Sequence, residues 1–455
     1  MIVIKFGGTS VGDAERVTNA IDIVAERQHL SPIVVVSALS GVTNDLLAAT
    51  KAASIGDESQ VIEIIDRIRQ RHDDVAIRLV QQRDDFFETF CKRLNKHIAE
   101  IHTILNNIAL LREVTPRARD RAVSIGEKLS SVLFAYSMLM RKLPSQHVES
   151  EEIIYTNDRF GDATPRMDRT TEAAKKILLP LVELNQIPVL GGFIGRTIDG
   201  VTTTLGRNGS DYSAAIVAAA VGADEVQIWT DVDGLLTCDP RFVPSARVID
   251  HLSHEEAAEL ASFGAKLHPR TLEPAIEAGI PVRILNTQNP ALPGTLITRE
   301  GTARSTGPRS VARKRNVTVV HMTSNKMLGA HGFLARLFHE FETLKISVDL
   351  IATSEVSVSV TVDERHDLDK LAVQLAGVAD VEVVDNQCII AIVGRNLLDD
   401  ALVGARVFEA MRSISMQMLS LGRSGLNLSI VVNDADSDKA IQRIHHALFE
   451  QAVAV

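Results

Sequence analysis

Three short segments of the chain gather cations, glycines and carboxylates closely enough to handle a phosphorylated anion. The first is Lys5-Phe6-Gly7-Gly8-Thr9-Ser10, which leaves an apolar run and enters a helical pattern. Glycines let the backbone approach an anion, the following N–H groups point at it, and Lys5 adds a full positive charge. Neither G-x-x-x-x-G-K-[ST] nor G-x-G-x-x-G occurs, so Gly7-Gly8 reads equally as a tight turn or as a phosphate cradle. The second segment is Leu205-Gly206-Arg207-Asn208-Gly209-Ser210-Asp211, again ahead of a helical pattern. Arg207 can grip a carboxylate through two parallel hydrogen bonds. Asp211 can pair with Lys5, or it can supply negative charge to the first helical turn. The third runs from Trp229-Thr230-Asp231-Val232-Asp233-Gly234 to Thr237-Cys238-Asp239-Pro240-Arg241. Its carboxylates suit Mg²⁺ or a ribose, or serve as acidic turn residues.

Other polar groups point to less. The pattern His251-x-x-His254-Glu255 has Ala258 where a zinc helix needs its second histidine. These histidines and His445-His446 read as surface residues. Cys91, Cys238 and Cys388 are far apart, which predicts neither a disulfide framework nor a structural zinc site.

The elements that position these segments alternate in period. Ile2–Phe6 and Ile33–Ser37 read as strands separated by a turn and a helix with Val17, Ala20, Ile21 and Val24 on one face. Further strands are expected at Ile187–Leu190, Glu225–Trp229 and Thr295–Thr298, with a helix from Tyr212 to about Val221. Continuous apolar strands imply a mainly parallel sheet buried on both faces. Residues 58–112 lack glycine and read as a helical excursion. Ser253 to Glu256 forms a capping box for a helix ending near Gly264. Residues 299–315 are polar and arginine-rich, and read as a linker or, alternatively, as phosphate-binding cations.

Beyond it a pattern recurs. Strands at Val317–Met322, Ile346–Ile351, Ser357–Val362 and Val381–Val384 enclose helices at Phe333–Leu344 and Leu368–Ala376. A second pass has strands at Cys388–Val393, Met416–Leu421 and Asn427–Val432, with helices at Ala401–Ile414 and Asp438–Leu448. Two βαββαβ units predict paired ferredoxin-like modules. The expected division is a catalytic domain at 1–298, a linker at 299–315 and modules at 316–385 and 386–455.

Composition sets bounds on partners. The 455 residues suggest about three domains. With 48 Lys+Arg against 58 Asp+Glu the net charge is −10, which argues against a nucleic-acid binder, and aromatics at 4% offer little base stacking. No apolar run approaches bilayer length, and the N-terminus does not read as a signal peptide, so no membrane partner and a cytoplasmic location are expected.

These clusters, in this order, resemble the aspartate kinases of the amino-acid kinase family. The resemblance is carried by Lys5 to Val11, Ser124-Ile125-Gly126-Glu127, Asn157 to Gly161 and Gly191-Gly192-Phe193-Ile194-Gly195. It continues through Leu205–Ser213, Trp229–Pro240 and Phe263-Gly264-Ala265-Lys266. It extends to Ile346–Ile351 and Thr353-Ser354-Glu355-Val356, and so resembles the monofunctional form with tandem ACT modules. The resemblance implies a three-layer αβα catalytic domain followed by two ferredoxin-like ACT modules. It implies transfer of phosphate from ATP, with Mg²⁺, to the side-chain carboxylate of L-aspartate, the first step toward lysine, threonine and methionine. By the same resemblance Lys5 neutralises the moving phosphoryl group, Asp211 orients Lys5, and Gly7, Gly8 and Ser10 contact phosphates. Thr230, Asp231, Leu236, Arg241 and Lys266 line the nucleotide site. Arg207 holds the substrate α-carboxylate and Glu127 its ammonium, with Thr43, Phe193 and Ser210 beside them. Met327, His331, Gly332, Phe333, Leu334, Val348, Asp349, Ser354 and Glu355 resemble a lysine-binding set. Lysine is the expected inhibitor ahead of threonine, and pairing of ACT modules implies a homodimer or homotetramer. The chain departs from the family pattern at Leu236, where tyrosine is common, at Ala330 in place of a serine, and by one residue between Lys266 and His268. A glutamate or N-acetylglutamate kinase is the neighbouring alternative, and a catalytically inert amino-acid sensor the alternative of another class.

Overall fold

The computed structural model describes residues 1–80, 84–264, 269–301, 306–363, 367–397, 399–422 and 424–450. They fall into two compact units. One holds 1–235, 250–254 and 269–301, the other 236–249, 255–264 and 306–450.

Ten strands belong to the first unit: β1 (Ile2–Phe6), β2 (Pro32–Val36), β3 (Ser145–His147), β4 (Ile187–Gly191), β5 (Ile194–Arg196), β6 (Thr202–Thr204), β7 (Glu225–Thr230), β8 (His251–Ser253), β9 (Val282–Asn286) and β10 (Thr295–Thr298). Eight of them form a sheet in the order β3-β4-β2-β1-β7-β9-β10-β8, and β5 and β6 make a separate hairpin. From β3 to β9 every pairing is parallel, while β10 runs antiparallel to β9. A mainly parallel α/β sheet is thus present. β3, β5, β6, β8 and β9 are not among the strands expected from the sequence.

Successive residues of a strand face opposite sides of its sheet. Ile2, Ile4 and Phe6 therefore join the core that includes Val17, Ile21 and Phe134. Val3 and Lys5 turn to the other side, where the helix Gly209–Val221 packs on β1, β2 and β7. This parity carries Lys5 toward the second glycine-rich segment. The expected helical excursion contains two helices, Glu58–Leu79 and Asp84–Leu111, amphipathic and packed on the first side. Phe6 is fully buried between the rings of Phe134 (5.7 Å) and Trp229 (6.4 Å). Phe6→Ala is expected to cost about 3–5 kcal/mol of stability, read as a lowered urea midpoint.

The second unit carries β11 (Gly307–Thr323), β12 (Ile351–Thr353), β13 (Ser357–Val362), β14 (Asp380–Arg395), β15 (Met416–Leu421) and β16 (Asn427–Asn433) in the antiparallel order β12-β13-β11-β14-β16-β15. Two expectations need correction. Residues 307–315 are not linker but the first half of β11, whose register slips between Lys314 and Val317, at the left-handed Asn316. The expected module boundary at 385/386 falls inside β14, beside the left-handed Asn386. The later half of β11 pairs with β13 and the earlier half of β14. The earlier half of β11 pairs with the later half of β14, which continues to β16. Each four-stranded group covers its own core. One contains Val320, Leu337, Val360 and Leu371, the other Val311, Ile390, Val407, Ile430 and Ile441. A strand expected at 346–351 is regular only over Ile351–Thr353, although Asp349 N–H still donates to the Thr361 carbonyl (2.9 Å).

The polar look of residues 307–315 has a physical cause. Their cations are partnered within the fold. Arg313 pairs with Asp438 and lies 3.6 Å over the Phe242 ring, Arg315 pairs with Asp434, and Lys314 with Asp349. Residues 236–249 also belong to this unit. Cys238 and Val243 sit in its core, and the Thr237 carbonyl accepts from the Val311 N–H (2.8 Å). His445, expected at the surface, is fully buried 3.0 Å from the Thr237 hydroxyl, while His446 is exposed.

Candidate active site

In a parallel sheet the ends of neighbouring strands lie along one edge, and a crevice opens where the chain departs to opposite sides. β1 lies between β2 and β7 and is such a position. Gly7 donates its N–H to the Trp229 carbonyl at the end of β7 (3.2 Å), and residues 8–11 make a single 3₁₀ turn. A Cβ on Gly8 would stand 3.0 Å from the Ala38 carbonyl oxygen, so this turn packs against the chain leaving β2. The Ser10 hydroxyl lies 3.3 Å from that of Thr287, just past β9. A cavity of about 170 Å³ opens here, lined by Thr9, Ser10, Arg16, Asn19, Asp231 and Thr287. Thr230 ends β7 and its hydroxyl donates to the carboxylate of Asp231, the next residue, at 3.1 Å.

Lys5 Nζ stands 2.5 Å from Asp211 Oδ1, with both side chains about nine-tenths buried (10% and 8% exposed). Asp211 is in the first turn of the helix Gly209–Val221, whose N-cap Asn208 is left-handed (φ 54°). Of the two roles open to Asp211, it therefore takes both: ion pairing and charge in the first helical turn. Arg207, one residue before the cap, is exposed and pairs with none of the described residues. Residues 192–193, in the chain that leaves β4, pack against residues 209–210 at the start of this helix. A Cβ on Gly192 would fall 2.6 Å from Ser210 Cβ, and one on Gly209 2.5 Å from the Phe193 ring. Glycine at both positions is what lets the two segments touch.

Glu127 lies in the first turn of the helix Ile125–Met140 and is buried. Its Oε2 has no hydrogen-bond partner among the described residues. Burial pushes its carboxyl up to about 8, opposed by hydrogen bonds from the Ala38 N–H and its own. A Cβ on Gly191 would meet the Glu127 carbonyl at 2.9 Å, which ties this helix to the end of β4. Thr43 is in the first turn of the helix Val42–Ile55, after the left-handed Gly41. Arg71 supports that turn from behind by donating to the Ser40 carbonyl, and lines a larger cavity of about 320 Å³ that holds none of the expected site residues.

Lys5, Gly7, Gly8, Ser10, Thr43, Glu127, Phe193, Arg207, Ser210, Asp211, Thr230 and Asp231 thus all belong to the first unit. Leu236 and Arg241 belong to the second, where Arg241 forks onto Asp239 (2.5 Å) and the Leu236 carbonyl accepts from Ser310. Lys266 lies outside the described residues. Of the effector set, Phe333 is buried behind the left-handed Gly332, Met327 and Val348 are partly buried, and His331, Leu334, Ser354 and Glu355 are exposed. Asp349 is engaged by Lys314 at 2.8 Å. Thr287 escaped the sequence reading, since β9 was not identified. The run after Pro281, Val282–Asn286, held the signal. Among the described residues no three His, Cys, Asp or Glu side chains converge as metal ligands, and no helix is long and apolar enough to cross a membrane.

The chain is similar to known proteins along nearly its whole length. The profile of the amino acid kinase family matches residues 1–286, and that of the ACT domain residues 390–448. Aspartokinase 3 of the Arabidopsis thaliana chloroplast is 38% identical over 98% of this chain and 81% of its own. The lysine-sensitive aspartokinase 3 of Escherichia coli is 37% identical over 99% of both chains. Two crystal structures of E. coli aspartokinase III are similar at 36% identity, covering 99% of this chain and 100% of theirs. One is a complex with lysine and aspartate (TM-score 0.84), the other with aspartate and ADP (0.83).

Proposed function

The chain belongs to the amino acid kinase family, among its aspartokinases, and on that premise we infer that it transfers the γ-phosphoryl group of ATP to the side-chain carboxylate of L-aspartate. The acceptor has a reference pKa of about 4 and is ionised at pH 7, so no general base is needed. A carboxylate oxygen attacks the γ-phosphorus, the bond to the bridging oxygen breaks, and ADP leaves with the electron pair. Two anions must meet in line, so positioning and charge neutralisation dominate the barrier.

The observation that carries this reading is the buried Lys5–Asp211 pair at the exit of β1. Asp211 holds the ammonium in place, and the Gly7-Gly8 turn leaves room for phosphate oxygens beside it. Arg207, free of partners among the described residues, suits the α-carboxylate of aspartate, and Glu127 suits its α-ammonium. Thr43, Phe193 and Ser210 fill out the acceptor side. Thr230 and Asp231 fall to the nucleotide, and so do Leu236, Arg241 and Lys266 by family resemblance. Mg²⁺ takes few protein ligands when phosphates supply the rest, and Asp231 with Ser10 and Thr287 along the same cavity is an oxygen set that fits it. There it would neutralise phosphate charge.

An acyl-phosphate trapped by hydroxylamine with aspartate and MgATP tests the activity. Aspartate is expected to be preferred over glutamate and N-acetylglutamate, and a preference for either of those would overturn the substrate assignment. A cytoplasmic site of action and a homodimer or homotetramer formed through the ACT modules accompany the reading.

Lysine is the proposed inhibitor, bound in the second unit against Asp349. A charge-assisted hydrogen bond is worth about 1.5–3 kcal/mol, so Asp349→Ala is expected to raise the half-inhibitory lysine concentration about 10- to 100-fold. An unmoved midpoint removes Asp349 from the effector site.

A further inference from the structure

We infer that Lys314 is a built-in competitor for the ammonium group of the inhibitory amino acid. The inference rests on the reading that Asp349 receives that ammonium. Lys314 Nζ lies 2.8 Å from Asp349 Oδ2 and 2.6 Å from Asp363 Oδ1, so one ammonium bridges two carboxylates. Its side chain is 24% exposed, those of Asp349 and Asp363 28% and 52%.

Backbone geometry places the two carboxylates, independently of Lys314. Asp363 directly follows the end of β13 at Val362. Asp349 is fixed opposite that end by its N–H bond to the Thr361 carbonyl (2.9 Å) and by the Leu350 N–H bond to the Thr361 hydroxyl (3.0 Å). Two carboxylates held this close repel unless a cation stands between them. Lys314 reaches them from the point where β11 changes register. Its side chain carries the same primary ammonium as free lysine, so the protein itself already offsets one of the two negative charges.

An incoming ammonium must displace or share with Lys314 to engage Asp349. The inhibitor's apparent affinity is then reduced by the stability of the internal bridge, as for any ligand that binds only one of two states. Lys314 thereby sets the inhibitory range and weakens weaker-binding ammonium compounds in proportion.

The test uses the full chain and free lysine as probe, with wild type, Lys314→Gln, Lys314→Met and Lys314→Arg. Two quantities are read: the half-inhibitory lysine concentration, and the lysine-induced rise in melting temperature without substrates. A partly exposed ion pair is worth up to about 1 kcal/mol, so removing it is expected to lower the midpoint about fivefold in the Gln and Met variants. Lysine should also raise their melting temperature more than that of wild type. The Arg variant keeps the charge and is expected within about twofold of wild type. An unchanged or higher midpoint in both neutral variants, with wild-type thermal shifts, overturns the competitor role and leaves the effector reading standing. If lysine neither inhibits wild type nor shifts its melting, the effector reading falls, and the inference with it.

Discussion

Replacing Lys5 with alanine is expected to lower kcat about 10²- to 10³-fold while changing the KM for aspartate little. The magnitude is that of removing one preorganised charge from a developing anion. The pattern follows because the ammonium matters most once the phosphoryl group moves. Stability has to be separated from catalysis here. Breaking a buried pair on one side leaves an uncompensated charge and costs about 3–5 kcal/mol. With Asp211 only 8% exposed, the single variant is expected to melt early. The double variant Lys5→Met with Asp211→Asn removes both charges and is expected to regain most of that stability without regaining rate. Lys5→Arg is not expected to rescue, because a planar fork cannot replace a compact ammonium at 2.5 Å in this space. Wild-type kcat in the double variant would remove Lys5 from the reaction.

How much of this was legible beforehand differs from element to element, for physical reasons. The exits of β1 and β2 and the helix Gly209–Val221 follow from local signals: apolar runs, glycines and helix-start residues, all within a few positions of each other. The Lys5–Asp211 pair was one of two options the residue types left open. Strand parity decided it, since Lys5 shares a side of the sheet with Val3 and not with Phe6. Residues 307–315 misled because the partners of their cations lie far along the chain. Asp349, Asp434 and Asp438 turn what looks like a solvated stretch into a central strand. The same distance hides the placement of Leu236 and Arg241. Their segment is held by Val311, Ser310 and His445, contacts that no local pattern announces. His445 and His446 read alike as surface residues because helical spacing alone does not say which of two adjacent histidines turns inward.

Glu127 carries the second large effect, visible in the pH dependence. Its carboxyl is buried, keeps one oxygen without a partner among the described residues, and is pushed up to about 8. Before substrate binds at pH 7 the neutral acid therefore predominates, by about ten to one. An ammonium group favours the carboxylate, so aspartate binding must expel that proton. The sign follows. Below pH about 8 only a fraction of sites is ionised, and this fraction grows tenfold per pH unit, so the apparent Kd for aspartate falls as pH rises. Between about pH 6 and 8 it is expected to drop about tenfold per unit and then level off. Calorimetry in two buffers of different ionisation enthalpy should find nearly one proton released per aspartate bound at pH 7. Glu127→Gln cannot ionise, so it is expected to weaken aspartate binding on the order of 100-fold and to abolish both the slope and the proton release. A flat profile in wild type, or the same slope in the glutamine variant, would assign the ammonium of aspartate to another group. Because Lys5 and Glu127 act on opposite ends of the acceptor, their variants divide cleanly, one losing rate at saturating aspartate and the other losing affinity for it.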